Sequence, residues 1–274
     1  MRDSIWVRVS RGSPCPICDK PDWCTVASDG SAACCMRTES ERRLGNGGWL
    51  HRLGRDLLGV PVRSQASPPA AKRYLSAEWI GNTWARCASA TTDKQVAGLA
   101  DKLGVTSTSL RVIGAFVYWV ESDEQRTVWG FPMHDGAEAF TGIRLRSDNG
   151  DKWALKGSRQ GIFIPNMDLQ GEVLVVEGPT DAAAAVSLGF YALGRPSCTG
   201  GVREIAALCQ RRGVKRLTVI ADNDGPGLAG ARAFCAQIGL PARLVVTMSK
   251  DLREWVKHGA TRQAVEACLD AHGW

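Results

Sequence analysis

Long apolar runs are missing from this 274-residue sequence. No stretch approaches the roughly 20 residues that a membrane-spanning helix needs, so no membrane role is expected. The N-terminus is charged and polar, without the plan of a secretory signal, and the expected location is therefore cytoplasmic. Tyrosine is scarce, limited to Tyr74, Tyr118 and Tyr191, and there are only four histidines. No G-x-x-x-x-G-K-[ST] occurs, nor any Gly-Lys pair, which excludes a P-loop from the sequence.

Cysteine is plentiful instead, with ten residues. In a cytosolic chain they read as metal ligands and buried thiols before disulfides. Five lie between residues 11 and 37. Cys15-Pro-Ile-Cys18 is a C-x2-C knuckle, whose turn lets two thiolates reach one ion. Asp29-Gly30 is a hairpin signal that would return Cys24 and the pair Cys34-Cys35 towards it. Four thiolates from two loops suit a closed tetrahedral Zn²⁺ site, here Cys15, Cys18, Cys24 and Cys35. Cys34 and His51 are alternatives for one position. So small a segment needs such help, and zinc supplies on the order of 10 kcal/mol.

The net charge is +6, unevenly spread. Residues 1–73 hold 12 Lys and Arg against 7 Asp and Glu, while the rest hold 22 against 21. A basic N-terminal end implies a polyanionic partner. Arg37, Arg42, Arg43, Arg52 and Arg55 interleave with Trp49 and His51, equipment suited to single-stranded nucleic acid. The competing reading is a solvated face with Trp49 packed on the knuckle. Pro61, Pro68 and Pro69 among small polar residues mark a linker over 59–73. The expected organisation is a zinc module at 1–58, that linker, a basic subdomain at 74–166 and a final domain at 167–274.

Residues 76–103 read as helical. Strands are expected over Val112–Val120, Thr127–Met133 and Phe140–Arg146, with a hairpin at Asp148-Asn149-Gly150 returning through Lys152–Leu155. Arg144, Arg146, Lys152, Lys156 and Arg159 crowd this antiparallel patch. Cations so placed suit nucleotide phosphates and a template strand.

From Glu172 the pattern becomes strand-helix repetition, which specifies a parallel sheet with flanking helices. Val173–Val176 ends on Glu177-Gly178. The helix Asp181–Leu188 follows, then a strand at Tyr191–Leu193 and a helix at Val202–Arg212. Leu217–Ala221 ends on Asp222-Asn223-Asp224, with a helix over Gly227–Ile238. A last strand, Ala242–Thr247, leads to Asp251 and the helix Leu252–Lys257. In such sheets ligands bind beyond the carboxyl ends of the strands. Strand alternation would turn Asp222 and Asp224 the same way. Glu177, Asp222, Asp224 and Asp251 at three strand ends crowd one edge with negative charge, and Mg²⁺ or Mn²⁺ would relieve it.

Glu177-Gly178-x-x-Asp181, Asp222-x-Asp224 and Lys250-Asp251 resemble the three motifs of the Toprim domain. The resemblance covers roughly 172–258. With the zinc segment and the basic patch, the chain resembles phage- and plasmid-type Toprim primases, although Cys24 and the Cys-Cys pair depart from the usual zinc pattern. The fold class this implies is α/β: a Toprim parallel sheet, a mixed α+β basic subdomain and a small zinc-ribbon-like module. The activity it implies is nucleotidyl transfer that makes short RNA primers from nucleoside triphosphates on single-stranded DNA. Asp222, Asp224 and Asp251 would hold one or two Mg²⁺, and Glu177 would act as ligand or general base. Asp181 is a secondary candidate that caps or orients. Lacking a P-loop, such a primase would work with a separate replicative helicase. The rival readings are a non-catalytic recombination mediator and a Toprim nuclease. No tyrosine stands in a context that suggests a topoisomerase nucleophile.

Overall fold

The computed structural model describes residues 6–44, 47–53, 74–118 and 127–272. The chain divides into two compact units, 1–71 and 72–274. Arg55 and the expected linker at 59–73 lie outside the described residues, as do residues 119–120 of the expected Val112–Val120 strand.

The first unit is one antiparallel sheet in the order β1 (Trp6–Arg8), β2 (Thr25–Ala27), β3 (Ala32–Cys35) and β4 (Trp49–Arg52). The Asp29-Gly30 turn joins β2 to β3. Gly30 takes φ +70°, which side chains disfavour, and Asp29 accepts from the Ser31 N–H at 3.0 Å. The buried cluster here is Cys15, Cys24 and Cys35 with Val9, Ile17 and Met36 against it. That is too little apolar surface to hold a fold unaided.

The second unit begins with α1 (Ala77–Ala90) and α2 (Asp93–Leu103). Thr92 separates them by forming a capping box with Gln95. The next segment differs from expectation. Thr106 caps α3 (Ser107–Val112), so Val112 is helical, and the strand starts only at β5 (Phe116–Tyr118). Leu110 on the helix and Ile113 at its C-cap are buried, and that burial outweighs the β-propensity of the Val-Ile pair. Strands β6 (Val128–His134), β7 (Phe140–Ser147) and β8 (Lys152–Ala154) complete an antiparallel sheet in sequential order.

The parallel sheet has the order β10-β9-β11-β12, made of β9 (Glu172–Glu177), β10 (Ala192–Arg195), β11 (Arg216–Ala221) and β12 (Ala242–Val246). Its helices are α4 (Pro179–Ser187), α5 (Val202–Arg212), α6 (Gly225–Gln237), α7 (Leu252–Lys257) and α8 (Arg262–Ala271). Alternation splits the strands between two cores. Val173, Val175, Leu193, Leu217 and Val219 pack with Ile205, Leu208 and Phe234 of α5 and α6. Leu174, Val176, Ala192, Ile220 and Val245 pack with α4, α7 and α8, and with Leu99, Leu103 and Leu110 from α2 and α3. The second core therefore fixes α2 and α3 against the parallel sheet. Helix α8 was not foreseen, although Val265 and Leu269, four residues apart, bury one face of it.

Candidate active site

The acidic residues lie at the carboxyl ends of β9 and β11 and in the loop after β12. Strand β9 ends on Glu177. Gly178 then turns the chain at φ +86° and ψ 171°, a region open only to glycine, and its N–H donates to the Arg195 carbonyl at 2.8 Å. Helix α4 starts at once, with Pro179 in its first turn. That turn carries Asp181, which is 5% exposed and accepts the Arg253 backbone N–H at 2.9 Å.

Strand β11 ends at Ala221, one residue before the acids. Asp222 and Asp224 therefore do not alternate as strand residues, which corrects the expectation from spacing. The Asn223 N–H donates to the Lys250 carbonyl at 2.7 Å and turns the backbone. Asp224 becomes the exposed N-cap of α6 and accepts from the Gly227 N–H at 2.7 Å, while Asp222 stays half-buried. Asp251 likewise caps α7, accepting from the Glu254 N–H at 2.6 Å, and it pairs with Arg253 at 3.3 Å.

Electrostatics tie these groups into one rim. Burial, then Glu177, Asp251 and Asp224, push the Asp222 carboxyl up to about 7, against the pull of Arg195. Burial and Asp251 push Asp181 to about 7 as well, against the N–H of Arg253. Yet the rim is open. Among the described residues, only cysteines bring three or more donor atoms within 4.8 Å of one another. Burial and neighbouring acids raise Asp222 and Asp181, and a hard divalent cation would offset that negative charge, so the residues present fit Mg²⁺ or Mn²⁺.

Strand β7 lays two cations beside this rim. Arg144 donates from Nη2 to the Pro196 carbonyl at 3.1 Å, next to the end of β10. Arg146 feels Arg253, Asp181 and Asp251, on the α4–α7 side. Both are partly buried, and burial lowers both guanidinium pKa values. Lys152, Lys156 and Arg159 are exposed and face water. Asp148 pairs with Lys102 at 3.1 Å, so it neutralises none of these five.

In the first unit, the thiols of Cys15, Cys18, Cys24 and Cys35 converge. Cys18 and Cys24 sulfurs stand 3.8 Å apart, and Cys24 and Cys35 stand 4.0 Å apart. Sulfurs at a zinc–sulfur distance of about 2.3 Å make a tetrahedron with edges of about 3.8 Å, which matches. Burial opposes a Cys35 thiolate, but N–H groups of Arg37 and Thr38 prevail and bring it down to about 6. Burial lifts Cys24 to about 12, so a cation is needed to hold all four as thiolates. The two alternatives are occupied elsewhere. Cys34 sits on β3 against Gly48, and His51 Nε2 bonds the Thr38 carbonyl at 3.0 Å. Trp49 is half-buried, with Arg43 over its ring at 5.5 Å.

Two site residues were not anticipated. Arg253 follows Asp251 by two positions and holds both Asp181 and Asp251. Arg195, at the end of β10, is fully buried and lies in register beside Glu177. The available signal was a lone cation closing an apolar strand.

No protein-family model and no curated protein matches the sequence. Solved structures do match. The catalytic core of DnaG superposes with a TM-score of 0.56 at 14% identity, covering 71% of this chain and 79% of that one. The Aquifex aeolicus primase, with zinc-binding and RNA polymerase domains, gives 0.56 at 13% identity over 73% and 62%. The primase fragment of the bacteriophage T7 primase-helicase protein gives 0.50 at 12% identity over 97% and 100%. The class these define is the Toprim-type primase fold. This chain has that fold: a parallel sheet flanked by helices, beside a mixed subdomain, with a four-cysteine module ahead of both.

Proposed function

We propose that the chain is a DNA primase that builds short RNA primers on single-stranded DNA from nucleoside triphosphates. One observation carries the proposal: a carboxylate rim at the ends of a parallel sheet, overlooked by Arg144 and Arg146 from a second sheet, in the fold of primase catalytic cores. Glu177, Asp222, Asp224 and Asp251 would hold one or two Mg²⁺ or Mn²⁺ ions. When bound, such ions activate the attacking 3′-hydroxyl and offset the charge of the triphosphate. Asp224 and Asp251 each use one oxygen to cap a helix, which fixes the direction of the other. Glu177 serves as ligand or general base, and Asp181 orients α7 through the Arg253 N–H.

Arg144 and Arg146 would bind triphosphate on the side away from the ion. The exposed Lys152, Lys156 and Arg159 would hold template phosphates. Cys15, Cys18, Cys24 and Cys35 would hold structural Zn²⁺, and their module would engage the template. The working division is a zinc module at 1–58, a linker at 59–73, a basic subdomain at 74–166 and a Toprim domain at 167–274. Unwinding would fall to a separate replicative helicase, in the cytoplasm. Among the described residues, no helix is long and apolar enough to cross a membrane.

The test is incorporation of labelled ribonucleotides on single-stranded templates with Mg²⁺ or Mn²⁺. Wild type should yield short products, and Asp222→Asn should lose at least about 100-fold of that yield while still binding template. Equal DNA binding by both proteins with no product from either favours the recombination mediator. Cleavage of labelled DNA by wild type favours the nuclease.

A further inference from the structure

Arg195 is the largest fully buried side chain among the described residues. Its guanidinium lies 5.3 Å from the centroid of the Phe234 ring. Only Nη1 finds an acceptor, the Cys198 carbonyl at 2.9 Å, while Nε and Nη2 have none. Acceptor-less donors on a buried charge are costly, and a structural arginine would be expected to satisfy them. What surrounds it explains its retention. Parallel pairing sets Arg195 directly beside Glu177, on the same face of the sheet. Burial works against its charge, and Glu177 favours it most, followed by Cys198 and Asp222. On the opposite flank of the rim, Arg253 is paired to Asp251 at 3.3 Å.

We propose that Arg195 is a positioning residue, the resident counter-cation of Glu177, which competes with a divalent ion for that carboxylate. The nucleotide-free rim then takes up one ion, centred on Asp222. A second ion enters only with the triphosphate, whose own charge outweighs the guanidinium. The inference rests on the reading of the rim as a divalent-metal site.

The test is Mn²⁺ uptake by the zinc-loaded full chain, followed by loss of the free Mn²⁺ paramagnetic resonance signal. Thiolate-bound zinc is not displaced by Mn²⁺, the weaker binder in that series. Wild type should take up one ion, and two when a non-hydrolysable nucleoside triphosphate is present and its own binding is subtracted. Arg195→Met keeps the aliphatic packing on Phe234 and removes the charge. It should bind the nucleotide-free ions about tenfold more tightly or take up two, as expected when repulsion between like charges is relieved. Arg195→Lys should behave as wild type. A folding defect would weaken binding, so tightening separates a charge role from a structural one. If Arg195→Met binds no more tightly than wild type, the inference fails while the metal reading stands. Two ions in nucleotide-free wild type also overturn it, a result that needs no variant. Wild type that takes up no Mn²⁺ under either condition overturns both readings.

Discussion

Asp181, buried in the first turn of α4, accepts the backbone N–H of Arg253 at the start of α7 through a 2.9 Å hydrogen bond. The bond joins two helices that flank the rim, so it sets where Asp251 stands. It also has a pH signature. Burial and Asp251 raise the Asp181 carboxyl from 3.8 to about 7. The unfolded chain releases this proton near 4, whereas the folded chain holds it to about 7. In that window the folded state binds more protons, so stability falls as pH rises. Asp181→Asn keeps an acceptor and has nothing to release. Melting in Mg²⁺-free buffer should therefore show wild type losing a few kcal/mol relative to Asp181→Asn between about pH 4 and pH 7. A constant difference between the two proteins across that range would contradict the assignment.

Zinc content distinguishes the two adjacent cysteines. Cys35 lies in the four-sulfur cluster, and Cys34 points from the same strand towards Gly48. Neighbours on a strand face opposite ways, so only one of the pair can reach the ion. Cys34→Ala should retain one zinc per chain, at a cost of about 1–2 kcal/mol in packing. Cys35→Ala should lose the zinc and with it the order of residues 6–44, visible as lost amide protection. Retained zinc in Cys35→Ala would move the fourth ligand elsewhere.

Much of this was legible in sequence because chemistry and backbone agreed. Leu217–Ala221 is an apolar run closed by acids and glycine, and it forms β11 with the rim beyond it. The C-x2-C knuckle and the Asp29-Gly30 turn bring their thiols together. The failures have physical reasons. Val112 and Ile113 have β-branched side chains, yet a Thr cap and core burial make the segment helical. Spacing reads Asp222 and Asp224 as strand neighbours, but the strand ends at Ala221 and Asp224 becomes the cap of α6. Arg195 carried no signal of burial, since arginine is ordinarily exposed. Only the register of β9 and β10 shows what it accompanies.

Two glycines of α6 should respond oppositely to alanine. A Cβ at Gly227 would stand 2.8 Å from both Cβ and the carbonyl oxygen of Asp222, and 3.0 Å from Asp224 Oδ1. A Cβ at Gly225 meets nothing within 4 Å. Gly227→Ala should displace Asp222, costing about 1–3 kcal/mol in stability and at least about tenfold in primer yield. Gly225→Ala should be neutral or gain up to about 1 kcal/mol by restricting the unfolded chain. Denaturant melts of both variants, run beside the incorporation assay, give the comparison.

Arg144 and Arg146 lie two residues apart on β7 but carry different loads. Arg144 is bonded to the Pro196 carbonyl, so part of its contribution is structural. Arg146 faces Asp181, Asp251 and Arg253 and has charges of both signs about it. Arg144→Ala should therefore lose about 1 kcal/mol of stability along with activity. Arg146→Ala should leave the melting temperature within a degree or two of wild type yet raise the KM for triphosphate about tenfold, the scale of one charge-assisted contact. Arg146→Lys should recover only part of this, because a point charge replaces a two-pronged donor. Template affinity separates the roles further. Lys152→Ala or Lys156→Ala should reduce the salt slope of single-stranded DNA binding by about 0.7 each, whereas Arg146→Ala should leave that slope unchanged. A reduced slope with an unaltered KM in Arg146→Ala would reassign this arginine from the nucleotide to the template.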